Sequence, residues 1–297
     1  MTRIAVFGSA NMDLVAYVAE PPGRGETVTG REFRTVPGGK GANQAIAAAR
    51  AGAAVRFFGA VGDDDFGPRL RATLADAGAD VSRLRTVSGA SGIAHIVVAD
   101  DGGNSIIVVA GANAAATAPE PRDLAGCAAL LLQLELPMPA VLAAAGAARA
   151  AGVPVVLTPA PVRDLPADLL AGVDLLVPNE HEAARITGVA DPEHALAALL
   201  ERVPEAVITL GERGALYGSR GAEPIRVSAP EVRAVDTTAA GDTFAGALAV
   251  ARAEGGPPES ALRFAAAAAA LSVRTAGAST SMPARADIET FLESASS

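Results

Sequence analysis

Short apolar runs alternate with helix-length patterns along most of this chain, and that alternation limits the fold more than any other feature. Ile4-Ala5-Val6-Phe7-Gly8 is a run closed by glycine, and similar runs recur at 54–59, 128–134, 153–158, 173–177 and 206–210. Apart from Arg56, Gln133 and Asp174 they are largely apolar at successive positions, as in strands buried on both faces. Helices are predicted at 66–77, 139–151, 180–187, about 192–202, 242–254, 258–274 and 285–294. Another opens within 37–44, and a short one follows the Pro-rich loop after 153–158. Such a rhythm means an α/β fold with a mainly parallel sheet covered by helices. Two places break it. The run 206–210 meets 214–218 across Gly211-Glu212-Arg213-Gly214, and 93–98 meets 105–109 across Asp100-Asp101-Gly102-Gly103-Asn104. The second is a hairpin signature, expected as an antiparallel flap with 11–37 as its partner. There is no internal repeat, and only the last few residues look loose.

The 297 residues suffice for one large domain, or one domain with a small appendage. Half are hydrophobic and none is Trp, so Ala, Val and Leu must fill the core. A formal net charge of −9 argues against a nucleic-acid or anionic-membrane surface. One cysteine, Cys127, forms no internal disulfide, so a reducing, cytoplasmic setting is expected. The N-terminal stretch reaches Asn11 and Asp13 before any signal-like run develops. No apolar segment approaches the ~20 residues of a membrane span. His95, His181 and His194 lack metal-ligand spacing and receive no role.

Chemistry concentrates in Val235-Asp236-Thr237-Thr238-Ala239-Ala240-Gly241-Asp242-Thr243-Phe244. Small residues lie between two carboxylates, ahead of an apolar helical pattern. A helix start has amides without partners and partial positive charge, and Ala-Ala-Gly lets an anion come close. Asp242 would repel that anion unless it takes a proton from the hydroxyl that attacks it. Taken alone, an N-capping aspartate is the better reading. Other polar residues fall just beyond the strands, where α/β sheets bind ligands. Asn11 and Asp13 follow the first run, Glu135 ends 128–134, Asn179 and Glu180 follow 173–177, and Thr209 and Gly211 end 206–210. Asn179-Glu180-His181-Glu182 also reads as a capping box. Gly38-Gly39-Lys40-Gly41-Ala42-Asn43 is no P-loop, yet Lys40 and Asn43 share a helix face.

Together these motifs resemble the phosphofructokinase-B-type sugar kinase family, and within it the ribokinase branch. The resemblance runs from Ile4 to about Phe291 through Gly8–Asp13, Gly25–Gly30, Gly38–Ala45, Gly62-Asp63-Asp64, Gly111–Ala114, Gln133–Glu135, Thr158–Pro161, Pro178–Glu180, Thr209–Gly214 and Asp236–Phe244. It implies a Rossmann-like three-layer αβα core, from 1–10, 38–88 and 113–297, under a small β-sheet lid from 11–37 and 89–112. It implies ATP, Mg²⁺ and phosphorylation of ribose at the 5-hydroxyl. Asn11, Asp13, Gly39, Lys40, Asn43 and Glu135 would hold the sugar. Asp242 would be the base, and the amides of Ala239, Ala240, Gly241 and Asp242 the anion hole. Asn179, Thr209, Leu210, Gly211, Glu212, Arg213 and Gly214, together with Gly241, would contact ATP, and Glu182 would order the waters on Mg²⁺. An activating K⁺ would sit among Asp236, Thr238, Ser272, Thr275, Gly277 and Ser281. A homodimer through the lid sheets is the family's habit.

Two departures stand out. Ala239 occupies a usual glycine position, and alanine there can still donate its amide if φ stays negative. Ala266 replaces a frequently polar residue beside the adenine pocket. The rival readings are a kinase for 2-deoxyribose, another pentose or a nucleoside, and a non-catalytic sugar-binding sensor. Only Tyr17 and Phe33 offer lid aromatics for a nucleoside base, which favours a sugar.

Overall fold

The computed structural model describes residues 1–295, so the expectation of a loose end falls at 296–297 outside the described residues. The first half runs β1 (Arg3–Phe7), β2 (Asn11–Tyr17), β3 (Glu32–Gly38), α1 (Lys40–Arg50), β4 (Ala54–Gly62), α2 (Phe66–Asp76), β5 (Asp80–Val87), β6 (Gly92–Val98), β7 (Asn104–Val109), β8 (Ala129–Leu132) and α3 (Met138–Ala151). The second runs β9 (Val155–Leu157), α4 (Ala167–Leu170), β10 (Leu175–Leu176), α5 (Glu180–Thr187), α6 (Pro192–Leu200), β11 (Glu205–Thr209), β12 (Ala215–Ser219), β13 (Ile225–Val227), α7 (Ala240–Ala253), α8 (Pro258–Ser272) and α9 (Arg285–Ala295).

The main sheet has the order β13-β12-β11-β10-β9-β8-β1-β4-β5, parallel except at the β11–β12 and β12–β13 pairs. Side chains alternate across a strand. Ile4 and Val6 therefore face one apolar layer with α1, α2, α7 and α8, while Ala5 and Phe7 face another with α3, α4 and α6. Both faces are covered, which is why these runs are largely apolar without a period of two. All the anticipated runs form strands, several shorter than expected: 128–134 contracts to Ala129–Leu132 and 173–177 to Leu175–Leu176. Two strands had no sequence signal. β5 is an edge strand that buries only Leu84 fully, and β13 is three residues long.

The flap is a second sheet, β3-β2-β6-β7. Its outer pairs are antiparallel, but β2 and β6 run parallel from Asn11↔Gly92 to Tyr17↔Val98. β2 leaves the carboxyl edge of the main sheet after β1, and β6 leaves the same edge after β5. Two strands departing one edge in one direction pair in parallel. β7 is exposed throughout, with Ile106 at 53% and Ile107 at 67%, and at the opposite edge of this sheet Phe33 on β3 is 63% exposed.

Helices α1 and α7 pack closely on one face. A Cβ on Gly246 would lie 2.7 Å from both Ala47 Cβ and the Gln44 carbonyl oxygen. This approach brings the first turn of α1 to the first turn of α7. Gly246→Val is expected to destabilise by about 1–3 kcal/mol through overpacking and to lower turnover as well. An unchanged melting midpoint would contradict that. No helix among the described residues is long and apolar enough to cross a membrane.

Candidate active site

The chain reverses direction across the sheet between β8 and β1, and such a switch point opens a crevice at the strands' carboxyl ends. Ser9 to Asp13 enter it from β1 and Gln133 to Glu135 from β8. Gly39, at φ 92°, turns β3 into α1, and a Cβ there would lie 2.7 Å from the Asn11 amide nitrogen. That turn delivers Lys40 and Asn43 to the same crevice.

Glu135 organises one wall. Its Oε2 accepts from Ser9 Oγ at 2.5 Å, from the Lys40 amide at 3.0 Å and from Asn11 Nδ2 at 3.4 Å. Asn113 donates through Nδ2 to Asn11 Oδ1 at 2.7 Å and accepts from the Ala10 amide, so Asn11 is fixed from behind. Asp242, 6% exposed, is held at both oxygens: Asn43 Nδ2 donates to Oδ2 at 3.1 Å and Gln44 Nε2 to Oδ1 at 3.0 Å. Asn43 Oδ1 is buried and has no partner, leaving an acceptor for an incoming hydroxyl.

Charge is shared across the crevice. Burial pushes the Asp13 carboxyl up to about 7, the negative charges of Glu135 and Asp242 add to this, and Lys40 opposes it. The Asp242 carboxylate, followed by Glu135, Glu182 and Asp13, raises the Lys40 ammonium above its usual value despite burial. Burial also raises Glu182, against a backbone hydrogen bond from Asn179 and the charge of Lys40. The sugar residues anticipated from sequence, Asn11, Asp13, Gly39, Lys40, Asn43 and Glu135, therefore meet around Asp242.

The start of α7 corrects one expectation. Ala239 takes φ 59°, the left-handed region, so the condition of negative φ set for its amide is not met, although that amide is free. It is the one non-glycine with positive φ among the described residues, a conformation costing roughly 1–2 kcal/mol. The cause is the sharp entry from the 236–238 loop into the helix. Backbone strain of this kind clusters at functional sites. The amides of Ala239, Gly241 and Asp242 have no acceptor among the described residues, whereas the Ala240 amide donates to Thr237 O at 3.2 Å. Three of the four anticipated donors thus stay free for an anion.

Beside them lies a cleft of about 690 Å³ lined by Thr209, Gly211, Glu212, Gly214, Gly241 and Phe244, with Ala266, Ala269 and Ala270 as an apolar wall. Leu210 instead enters the core, and Arg213 pairs with Glu180 Oε2 at 2.5 Å, so neither side chain lines it. Asn179 bridges to Thr209, bringing the two anticipated nucleotide segments together. Asn179 and Glu182 form a true capping box: Glu182 N donates to Asn179 Oδ1 at 2.8 Å and Asn179 N to Glu182 Oε2 at 2.9 Å. Asn179 Nδ2 and Glu182 Oε1 are left over for other work.

Asp236 joins two loops, accepting from the Thr238 amide and the Gly277 amide, each at 2.9 Å. Burial opposes ionisation there, but these hydrogen bonds prevail and hold the carboxyl below its usual range. Ser272 Oγ and Ser281 Oγ spend their protons on Ala269 O and Ala278 O, which leaves their lone pairs free, while Thr275 is exposed. An all-oxygen set with one carboxylate fits a hard cation.

Ser9, Gln44, Asn113 and Gln133 had no assigned role. The available signal was Gln133, a polar residue closing an apolar run and now 1% exposed.

Residues 1–285 match the pfkB family carbohydrate kinase model. A ribokinase of Bacillus subtilis is 42% identical over 298 residues, covering 98% of this chain and all of its own. A deoxyribokinase of Salmonella typhi is 37% identical, over 98% and 97%. The structure of Arabidopsis thaliana ribokinase complexed with ribose and ATP superposes with a TM-score of 0.92 at 37% identity, covering 99% of each chain. The fold is thus ribokinase-like: a mostly parallel covered sheet plus a small second sheet. With a family model spanning nearly the whole chain and relatives of this identity along its full length, this chain belongs to the pfkB family of carbohydrate kinases.

Proposed function

We propose that this chain transfers the γ-phosphoryl group of ATP to the 5-hydroxyl of D-ribose. The observation that carries the reading is Asp242, buried, fixed by two amide donors and standing between a polar crevice and three free helix amides. The full-length similarity to ribokinases supports ribose and ATP as the substrates.

Asn11, Asp13, Lys40, Asn43 and Glu135 hold the sugar hydroxyls. Asp242 accepts the 5-hydroxyl proton as that oxygen attacks the γ-phosphate in line. The amides of Ala239, Gly241 and Asp242 and the positive end of α7 meet the charge that develops on the phosphoryl oxygens. Asn179 and the 209–214 turn flank the nucleotide. Glu182 would order waters on Mg²⁺, which neutralises phosphate charge when bound. The oxygens around Asp236 suit a K⁺ that would brace the loop carrying Ala239.

Residues 11–37 and 89–112 act as the lid, closing over the sugar so that water is excluded and ATP is not hydrolysed. Phe33, Ile107 and Val109, exposed apolar residues on one face of the lid sheet, fit a homodimer formed through the lids. A reducing, cytoplasmic compartment suits the buried free thiol of Cys127.

The test is ATP consumption against a panel of sugars and nucleosides, with K⁺ and then Na⁺ as the monovalent cation. Ribose-dependent turnover, stimulated several-fold by K⁺, is expected. Preference for 2-deoxyribose, the second reading that the Salmonella relative favours, would keep the mechanism and replace the acceptor. Ribose binding without turnover would make the chain a sensor.

A further inference from the structure

Asp242 is gripped by a buried amide relay that the proposed chemistry leaves unused. Gln44 is fully buried, and all its hydrogen-bonding directions toward neighbours are taken. Its Nε2 donates to Asp242 Oδ1 at 3.0 Å and Thr158 Oγ1 at 3.2 Å, and its Oε1 accepts from Gln133 Nε2 at 2.6 Å. The polarity of this relay is fixed at one end. A carboxylate accepts only, so Gln44 must turn its nitrogen to Asp242 and its oxygen to Gln133. Gln133 must then turn its nitrogen to Gln44, and its own Oε1 is stranded: buried, 1% exposed and without a partner. A stranded buried acceptor is uncommon and needs a reason. The reason here is that reversing Gln133 would set two carbonyl oxygens against each other.

We infer that Gln44, oriented by Gln133, is the positioning residue that fixes the Asp242 carboxylate for proton abstraction. Asn43 shares the grip, but its other amide atom has no partner, whereas the polar atoms of Gln44 all bond to protein. The close α1–α7 crossing at Gly246 sets the reach of this contact. Hydrogen bonds to an ionised carboxylate favour the charged form and hold its rotamer. Losing the donor frees Asp242 to turn toward Lys40. The charged groups around it are Lys40, Asp13, Glu135 and Glu182, and none of them is altered.

The inference rests on Asp242 being the base, so Asp242→Asn is run beside it. Phosphoryl transfer is followed in single turnovers at saturating ribose and ATP from pH 5.5 to 9. Gln44→Met is expected to lower the rate roughly 10–100-fold across that range and leave both KM values within about threefold. Gln133→Met is expected to do the same more weakly, and the double variant to match Gln44→Met alone, because both act through one contact. If Gln44→Met loses ribose binding by calorimetry, Gln133→Met carries the test. A loss that falls on KM with the rate unchanged, or additive losses in the double variant, overturns the positioning role. Near-normal turnover in Asp242→Asn overturns the base assignment instead.

Discussion

Asp242→Asn is expected to lower phosphoryl transfer by roughly 10²–10⁴-fold while the protein stays folded and still binds ribose. The loss corresponds to about 3–5 kcal/mol of transition-state stabilisation. The side chain keeps its shape, so packing between α1 and α7 survives. Asparagine presents an NH₂ where the aspartate presents an acceptor, and one of the two donors facing it must give way. Gln44 is locked by Gln133 and Thr158, but Asn43 is not: its Oδ1 has no partner and can take that donor by an amide flip. The substitution is therefore absorbed locally, with a melting midpoint within a few degrees of the parent. Turnover within tenfold of the parent would mean that the proton leaves by another route. A protein that binds ribose and ATP but never turns over, even with Asp242 intact, would be a sensor.

Much of the fold was legible because the core strands are buried on both faces. Runs such as Ile4–Phe7 and Leu130–Leu132 have no polar side to confuse with a helix stripe. What escaped was strand structure with little burial. β5 carries Arg83 and Arg85 between its apolar positions and β13 is three residues long, whereas exposed β7 was legible from its β-branched run beyond the Gly/Asp turn. The parallel β2–β6 pair was illegible for another reason. Its partners are separated by some eighty residues, and local pattern carries no information on direction.

The candidate site divides in the same manner. Residues at helix starts and strand ends, such as Lys40, Glu135, Asn179 and Asp242, were legible from their placement in the α/β rhythm. Their supports were not. Asn113 fixes Asn11 across 102 positions, and Gln44 reaches Asp242 across 198. Ala239 shows a different limit. Alanine in a sequence signals a negative φ, and only the geometry of the loop entering α7 forces it into the left-handed region.

Asp13 should make ribose binding depend on pH in a direction that can be worked out. In the free protein its carboxyl is pushed up to about 7 from an ordinary 3.8, chiefly by burial and then by Glu135 and Asp242. Between those two values the folded protein carries a proton that the unfolded chain has lost. Stability from this group therefore falls as pH rises through that window, by at most about 1.4 kcal/mol per unit, and stays low above pH 7. Sugar hydroxyls act the opposite way, because they donate to the ionised form and stabilise it. Ribose binding below pH 7 must then expel the proton, and KM for ribose is expected to rise by up to about tenfold per pH unit as pH drops from 7 toward 5.5. Above pH 7 it should level off. Calorimetry in buffers of different ionisation enthalpy should register proton release on ribose binding at pH 6 and little at pH 8. Asp13→Asn should lose roughly 10–100-fold in kcat/KM for ribose, the worth of one charge-assisted hydrogen bond, and flatten the pH dependence. That variant should also be the more thermostable of the two at pH 8 without sugar, since it no longer buries a charge beside Glu135 and Asp242. A parent KM that stays flat from pH 6 to 8 would remove Asp13 from the sugar site, whatever the fate of Asp242.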